Sequence, residues 1–322
     1  MMQIVLIGLG AGAASALLFA SVTSGSPISL ILANFAQLPI LIAAIGWTHL
    51  AGLVAVLIAS AGIGFILGPS AGFLFLIGVA LPAWWIGYLA LLARPAPGAA
   101  SDMEWYPVGR IVAWTAIAAG VIVIISLVRY GLDAESVKSG LRRELDLAAR
   151  FFVALRIPGF REPEQLKDAL VLVIPGMKAI ALTATSLLNL WLAALIVKIS
   201  GRLRRPWPPI AQMSFPPFVP TALMVAVVAT FLPELFGLMG GVFVASLLLA
   251  YALLGFAVVH FVTRGVAGRG LMLTGLYFTA VLFSWPLLLV MSLLGLIETM
   301  LALRARVAAS RPPPPSGSIN RP

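Results

Sequence analysis

Polar side chains are sparse in the long apolar stretches of this 322-residue sequence, and those that occur there are its first candidates for chemistry. Asn34 and Gln37 lie in one apolar block, where the nearby Pro39 frees a backbone carbonyl. Thr185 and Asn189 lie in another block, four residues apart, and so share one face of a helix. We favour hydrogen bonds between helices as their role, and a cavity for a polar substrate is the alternative. In that alternative the substrate-binding residues are Asn34, Gln37, Thr185, Asn189 and Lys178.

Lys178 stands in an apolar run just after the Pro175–Gly176 bend. A cation inside the membrane is costly and is by default a candidate functional residue. Residues 177–197 alone are long enough to cross a membrane, so the long Lys178 side chain is able to reach the interface. We favour that interfacial position, with an anion-binding role as the alternative. The Asn189 side chain cannot reach the interface, because nine residues, about 13 Å of helix, separate it from Lys198. It therefore lies near the middle of the membrane.

Signatures of enzymatic chemistry are missing from the sequence. There is no Cys, and the two histidines, His49 and His260, stand at the ends of apolar blocks without metal-ligand spacing. Glu234 and Glu298 are lone carboxylates. The stretch GLGAGAAS is rich in Gly but opens no βαβ unit, so it is not a dinucleotide site. We therefore predict no catalytic residues, no metal site, no cofactor and no enzymatic activity.

The composition is that of a membrane protein. Hydrophobic residues make up 61% of the chain and charged residues 10%, whereas soluble domains have roughly 45–50% and 25%. The net charge of +10 comes from cations scattered between apolar blocks, a pattern that indicates membrane topology and anionic lipid headgroups rather than nucleic acid. We predict an all-α, polytopic transmembrane helical bundle of about 8–10 membrane helices. The apolar blocks cover 4–22, 28–46, 50–67, 71–93, 108–128, 169–197, 218–232, 238–262 and 270–303.

The last block is long for one span and short for two. Ser284 is suited to cap a new helix with Pro286 in its first turn, and Trp285 suits the membrane interface. We favour a hairpin of two short helices. One long helix kinked at Pro286 is the alternative.

The segment KISGRLRRPWPP carries a compact cluster of cations next to a membrane end. By count, the cations on the two sides of the predicted membrane are tied under the positive-inside rule. The density of this cluster, together with a hairpin at 270–303, favours the cytoplasm for it, with Trp207 at the interface. We therefore expect a multi-pass protein of the bacterial inner membrane with a cytoplasmic N-terminus. A pocket for a lipid or nucleotide phosphate is the alternative role of this cluster. The residues assigned to topology and lipid headgroups are Lys198, Arg202, Arg204 and Arg205.

Residues 130–168 contain seven of the eleven acidic residues and are the part of the chain that resembles a soluble protein. An apolar stripe at three- and four-residue steps predicts an amphipathic helix that lies on the membrane or caps the bundle, on the extracytoplasmic side. We take residues 1–305 as one transmembrane domain and expect the Pro-rich tail, 306–322, to be disordered. The stripe consists of Leu141, Leu145, Ala148, Phe152 and Leu155.

Small residues recur every four positions on the first predicted helix, at Gly8, Gly12, Ala16 and Ala20. Such spacing lets helix backbones approach closely in lipid. Packing within the chain is the interpretation we favour. Docking of a separate membrane partner subunit is the alternative.

Several stretches, among them LPAWWIGYLALLAR, EWYPVGRIVAW and LLNLWLAALIVKISGRLRRPWP, resemble the alphaproteobacterial branch of the YybS-like predicted membrane proteins, over nearly the whole chain. That family is a domain of unknown function, so the resemblance implies no activity and no catalytic residues. More distantly, the chain is similar to the S components of energy-coupling-factor vitamin transporters. In those, small residues on the first helix dock the coupling subunit, and Gly8, Gly12, Ala16 and Ala20 match that spacing. S components have six spans, fewer than this sequence predicts.

Two functions are compatible with these features. The first is binding or transport of a small molecule in a cavity within the membrane. The second is a non-catalytic scaffold or partner subunit of an envelope or biogenesis complex.

Overall fold

The computed structural model describes residues 1–96, 99–154 and 164–310, and these form the predicted all-α bundle. Among the described residues, eight helical segments are long and apolar enough to cross a membrane, and two of these segments consist of consecutive shorter helices. The chain is thus a multi-pass membrane protein. The elements in chain order are α1 (Met2–Ala20), α2 (Pro27–Asn34), α3 (Gln37–Gly46), α4 (His49–Leu67), α5 (Pro69–Phe75), α6 (Leu81–Leu91), β1 (Ala93–Ala96), β2 (Ala99–Trp105), α7 (Val108–Val128), α8 (Ala134–Ala154), α9 (Glu164–Ile199), α10 (Phe218–Ala229), α11 (Glu234–Val262), α12 (Arg269–Leu282), α13 (Ser284–Leu301) and α14 (Leu303–Ser310).

The helices divide into two compact units. The first comprises Met1–Pro208 with Pro216–Leu247, and the second comprises Pro209–Phe215 with the chain from Leu248 onward. In the first unit α3 lies at the centre and packs against α1, α4, α6 and α9. Its inward side chains, Ile40 and Leu41, are fully buried, as a helix surrounded on several sides requires.

The second predicted span is broken near its middle. Residues 28–46 form two helices, because α2 ends at Asn34 and α3 begins at Gln37. Pro39 explains the break, since a proline lacks the N–H that would bond four residues back and its ring clashes with that carbonyl. The carbonyl in question belongs to Phe35, which instead accepts from the backbone N–H of Leu38 at 2.9 Å. Most other predicted spans are single helices or, for α5 and α6, two helices joined through a π-helical turn at Leu76–Ala80.

Two predicted spans differ from the structure. The apolar block 218–232 forms only the 12-residue α10, about 18 Å long, because the chain turns before Glu234, whose φ is 57°. Block 270–303 forms the 14-residue α12 and the 18-residue α13, which meet at Phe283. The block therefore divides into two short helices at Ser284, as predicted, and of these only α13 is long enough to span a membrane.

In the second unit, α12 and α13 both contact the second half of α11. Tyr277 of α12 stacks on Phe256 with ring centroids 5.8 Å apart. On α13, the Ser292 hydroxyl donates to the carbonyl of Leu248 at 2.8 Å. Glu298 and Arg304 form an ion pair at 2.8 Å in which both side chains are largely buried. The last two contacts provide partners for the buried Ser292 and Glu298.

Outside the membrane spans, three segments form local structure. Within the first unit, helix α8 packs through Val137, Leu141 and Leu145 against Leu127 and Val171. Leu155 and the side chains of Ala148 and Phe152 lie outside the described residues. Residues 93–105 contain an antiparallel hairpin that was not predicted from the sequence. Residues 303–310 form α14, so the expected disorder was wrong for 306–310, where Ala and Arg favour a helix before the first proline.

Candidate functional site: a polar junction at the broken second span

The break between α2 and α3 exposes backbone carbonyls in the middle of a spanning segment, and two other helices bond to them. The Ser15 hydroxyl of α1 donates to the carbonyl of Ala36 at 2.5 Å. The Asn189 amide of α9 donates through Nδ2 to the carbonyl of Asn34 at 2.9 Å. In a membrane every such group needs a partner within the protein, because no water is available. We call the residues around the break (Ser15, Asn34, Ala36, Gln37 and Asn189) the polar junction.

Asn189 is the most constrained member of the junction. Its side chain is 0% exposed, and its Nδ2 donates both to Asn34 and, at 2.8 Å, to the carbonyl of Thr185 on its own helix. Two carbonyls on the nitrogen fix which way the amide faces, since turning it over would place oxygen against oxygen. The other end of the amide, Oδ1, is buried and has no hydrogen-bond partner.

Gln37 presents a second unpartnered acceptor. It is the first residue of α3, which packs against α9, and it lies three residues after the Asn34 carbonyl that Asn189 binds. Its side chain is 3% exposed and its Oε1 has no hydrogen-bond partner. A buried acceptor without a donor costs about 1–3 kcal/mol. Two such oxygens at one helix break are therefore the strongest sign of a functional site in the described residues.

Asn34 and Thr185 join this site through their main chains. The Asn34 side chain is exposed and donates to the carbonyl of Leu30 at 2.7 Å, so only its backbone oxygen reaches the junction. The Thr185 carbonyl is likewise the group that contacts Asn189. Ser15, which sequence reasoning missed, is fully buried and belongs to the site. The sequence signal for Ser15 was its position on α1, a helix rich in small residues.

Lys178 lies elsewhere on α9, eleven residues or about 16 Å of helix from Asn189. Its ammonium group forms an ion pair with Glu144 of α8, and the same carboxylate accepts hydrogen bonds from Arg129 and Tyr130. Burial acts to raise the pKa of Glu144. Hydrogen bonds from Lys178 and Tyr130, with the attraction of the two cations, outweigh burial and hold this pKa below its usual value. Lys178 thus joins α9 to α8 through this ion pair.

The small-residue stripe of α1 lies against α4. A Cβ added to Gly8 would stand 2.6 Å from Cβ of Val54, and one added to Gly12 would stand 2.8 Å from the carbonyl oxygen of Ala55. Ala16 is buried at 6% exposure and Ala20 is half-buried. These positions are occupied by contacts within the chain.

The basic segment, residues 198–209, begins at the end of α9, and its cations contact aromatic rings and one backbone carbonyl. Lys198 Nζ lies 4.7 Å from the centre of the Trp207 ring, and the Arg202 guanidinium lies 4.6 Å from that of Trp47. Arg205 donates to the carbonyl of Ala90 at 3.1 Å, and burial lowers its pKa. Arg204, the fourth cation, is exposed.

No group of three or more potential metal ligands among His, Cys, Asp and Glu occurs in the described part of the chain. In comparisons with protein families, with curated proteins and with solved structures, no match to this chain was found.

Proposed function

We propose that this membrane protein binds a small solute inside the membrane, at the polar junction, as a transport or capture protein. The observation that carries the proposal is the pair of buried, unpartnered amide oxygens of Asn189 and Gln37 beside a broken spanning helix. A ligand that donates to these oxygens would offset the cost of burying them.

The broken helix supports the same function. Non-helical backbone at membrane depth is tolerated only where protein buries it or where it lines a polar cavity. Binding sites of many transporters are built at such discontinuous helices, near the middle of the membrane. Here the break is bonded to α1 through Ser15 and to α9 through Asn189, so a ligand at this point would touch three separate segments. Movement of any one of them would change the site.

The proposed setting is the bacterial inner membrane, with the N-terminus and the basic segment in the cytoplasm. In support, the cations of that segment lie over tryptophan rings, an arrangement suited to the interface with anionic headgroups.

Ligand-dependent thermal stabilisation tests the function. A solute that binds only the native protein raises Tm. We would measure Tm of the purified protein against a panel of small polar solutes, for the wild type, for Asn189→Leu and for Thr183→Val. Thr183 is buried on the same helix and its hydroxyl bonds only locally, to Ala179 at 2.7 Å, so its variant is the matched control. We expect a solute that stabilises the wild type and Thr183→Val but not Asn189→Leu. Equal stabilisation of all three would contradict binding at the polar junction, and stabilisation of none would favour the scaffold function instead.

A further inference from the structure

We propose that the occupant of the polar junction is a monovalent cation, bound through neutral oxygen atoms. This inference rests on the function proposed above and specifies its ligand. Three properties of the junction lead to it: its chemistry, its size and its charge.

The chemistry of the junction is that of an acceptor. The Asn189 amide has two N–H groups, and the carbonyls of Asn34 and Thr185 take both. What Asn189 can offer a ligand is therefore its Oδ1 alone. Gln37 adds the unpartnered Oε1. Oxygens without donors repel an anion and attract a cation or a hydrogen-bond donor.

The size of the junction limits the occupant. Asn189 and Gln37 are 0% and 3% exposed, and solvent reaches neither of their unpartnered oxygens. Because these oxygens are sealed from solvent, an occupant that binds them without movement of the helices is no larger than a water molecule or a bare ion. A larger organic solute would require the surrounding helices to separate.

The charge around the junction favours one positive charge rather than two. Helix α2 ends at Asn34, so the negative end of its dipole faces the break. The first turn of α3 presents the positive end of its dipole at the same break, and Pro39 removes one N–H from that turn. Residues 1–91 and 170–199, which supply every helix around the site, contain no Asp or Glu. Divalent cations are usually held by carboxylates, whereas carbonyl oxygens alone suffice for monovalent cations.

Thermal unfolding in different chloride salts tests this inference. The purified protein would be unfolded in sodium, lithium, potassium and N-methyl-D-glucamine chloride at one fixed ionic strength. We expect at least one alkali cation to raise Tm over N-methyl-D-glucamine. The rise should grow with the logarithm of the cation concentration and reach about 4 °C at one hundred times Kd. Asn189→Leu and Gln37→Leu should lose the rise, and Thr183→Val should keep it.

A second variant keeps the test valid if the leucine variants fold poorly. Gln37→Glu preserves shape and adds a negative charge at the site. It should lower the cation concentration that produces a given rise in Tm, and an unchanged concentration would contradict the inference.

The remaining outcomes separate the two proposals. If no alkali cation differs from N-methyl-D-glucamine but a neutral solute stabilises the protein through Asn189, the cation is wrong and the proposed function stands. If neither a cation nor a solute acts, the junction holds only buried water and both proposals fail. A cation effect of equal size in Asn189→Leu would be a general salt effect and would overturn the cation site.

Discussion

Replacing Asn189 by leucine separates a structural role of the polar junction from a binding role. The change removes the hydrogen bond to the carbonyl of Asn34, which joins two helices. Measured hydrogen bonds between membrane helices average about 0.6 kcal/mol. It also leaves that carbonyl without its donor, a cost of about 1–3 kcal/mol, but removes the unpartnered Oδ1, a gain of similar size. We therefore expect a net loss of about 1 kcal/mol or less in the free energy of unfolding.

Such a loss would shift Tm by about 2 °C or less, so the variant should fold and express normally. Ligand binding and cellular function should nevertheless be abolished, because the acceptor at the centre of the junction is gone. Lys178→Met provides the comparison. Its partner Glu144 keeps Arg129 and Tyr130, so that variant should retain ligand binding. Tm and ligand binding would be measured for both. Full binding by Asn189→Leu, together with lost binding by Lys178→Met at normal stability, would refute the reasoning and move the site to Lys178.

Three further predictions concern topology, packing and pH. The chain has no Cys, so a cysteine at Ser200 should be shielded from an impermeant thiol reagent in intact cells and one at Ser139 should react; the reverse would overturn the orientation. Gly12→Leu should destabilise the protein by about 1–3 kcal/mol in thermal unfolding, whereas Gly10→Leu, with nothing within 4 Å of its added Cβ, should have little effect; equal losses would contradict close packing of α1 on α4. The pKa of Glu144 is lower in the folded protein, so its contribution to stability is complete above its unfolded pKa of about 4.3 and is lost as pH falls through the folded value. Glu144→Gln should reduce the loss of stability that the wild type shows as pH falls below about 4.3 in thermal unfolding. The same loss at low pH in both proteins would contradict a stabilising role of the Glu144 carboxylate.

The spans were predictable because apolar length is a property of continuous sequence. The same is true of the break in the second span, since Pro39 acts on a carbonyl four residues away. Prediction was poorer where a turn lay inside an apolar run. The apolar composition of 218–232 does not reveal that α10 stops after 12 residues, because a backbone turn and not hydrophobicity ends it. The sequence signal for this turn was Pro233, since a proline disfavours helix in the residue before it.

The partners of the polar residues could not be predicted, because each is distant in the chain. Asn189 bonds to a carbonyl 155 residues away, and Ser15 to one 21 residues away. Sequence reasoning identified Asn189 and Gln37 but assigned the side chain of Asn34 to a site that only its carbonyl reaches. It also grouped Lys178 with them, since a helix pattern does not reveal that a carboxylate on α8 lies opposite.

The most direct test of the central claim is equilibrium binding of whichever ion or solute raises Tm, to the purified wild type, Asn189→Leu and Thr183→Val. The polar junction predicts saturable binding at one site per chain in the wild type and in Thr183→Val, and none in Asn189→Leu. Binding of equal affinity and number by Asn189→Leu would contradict the claim that the broken second span holds the ligand.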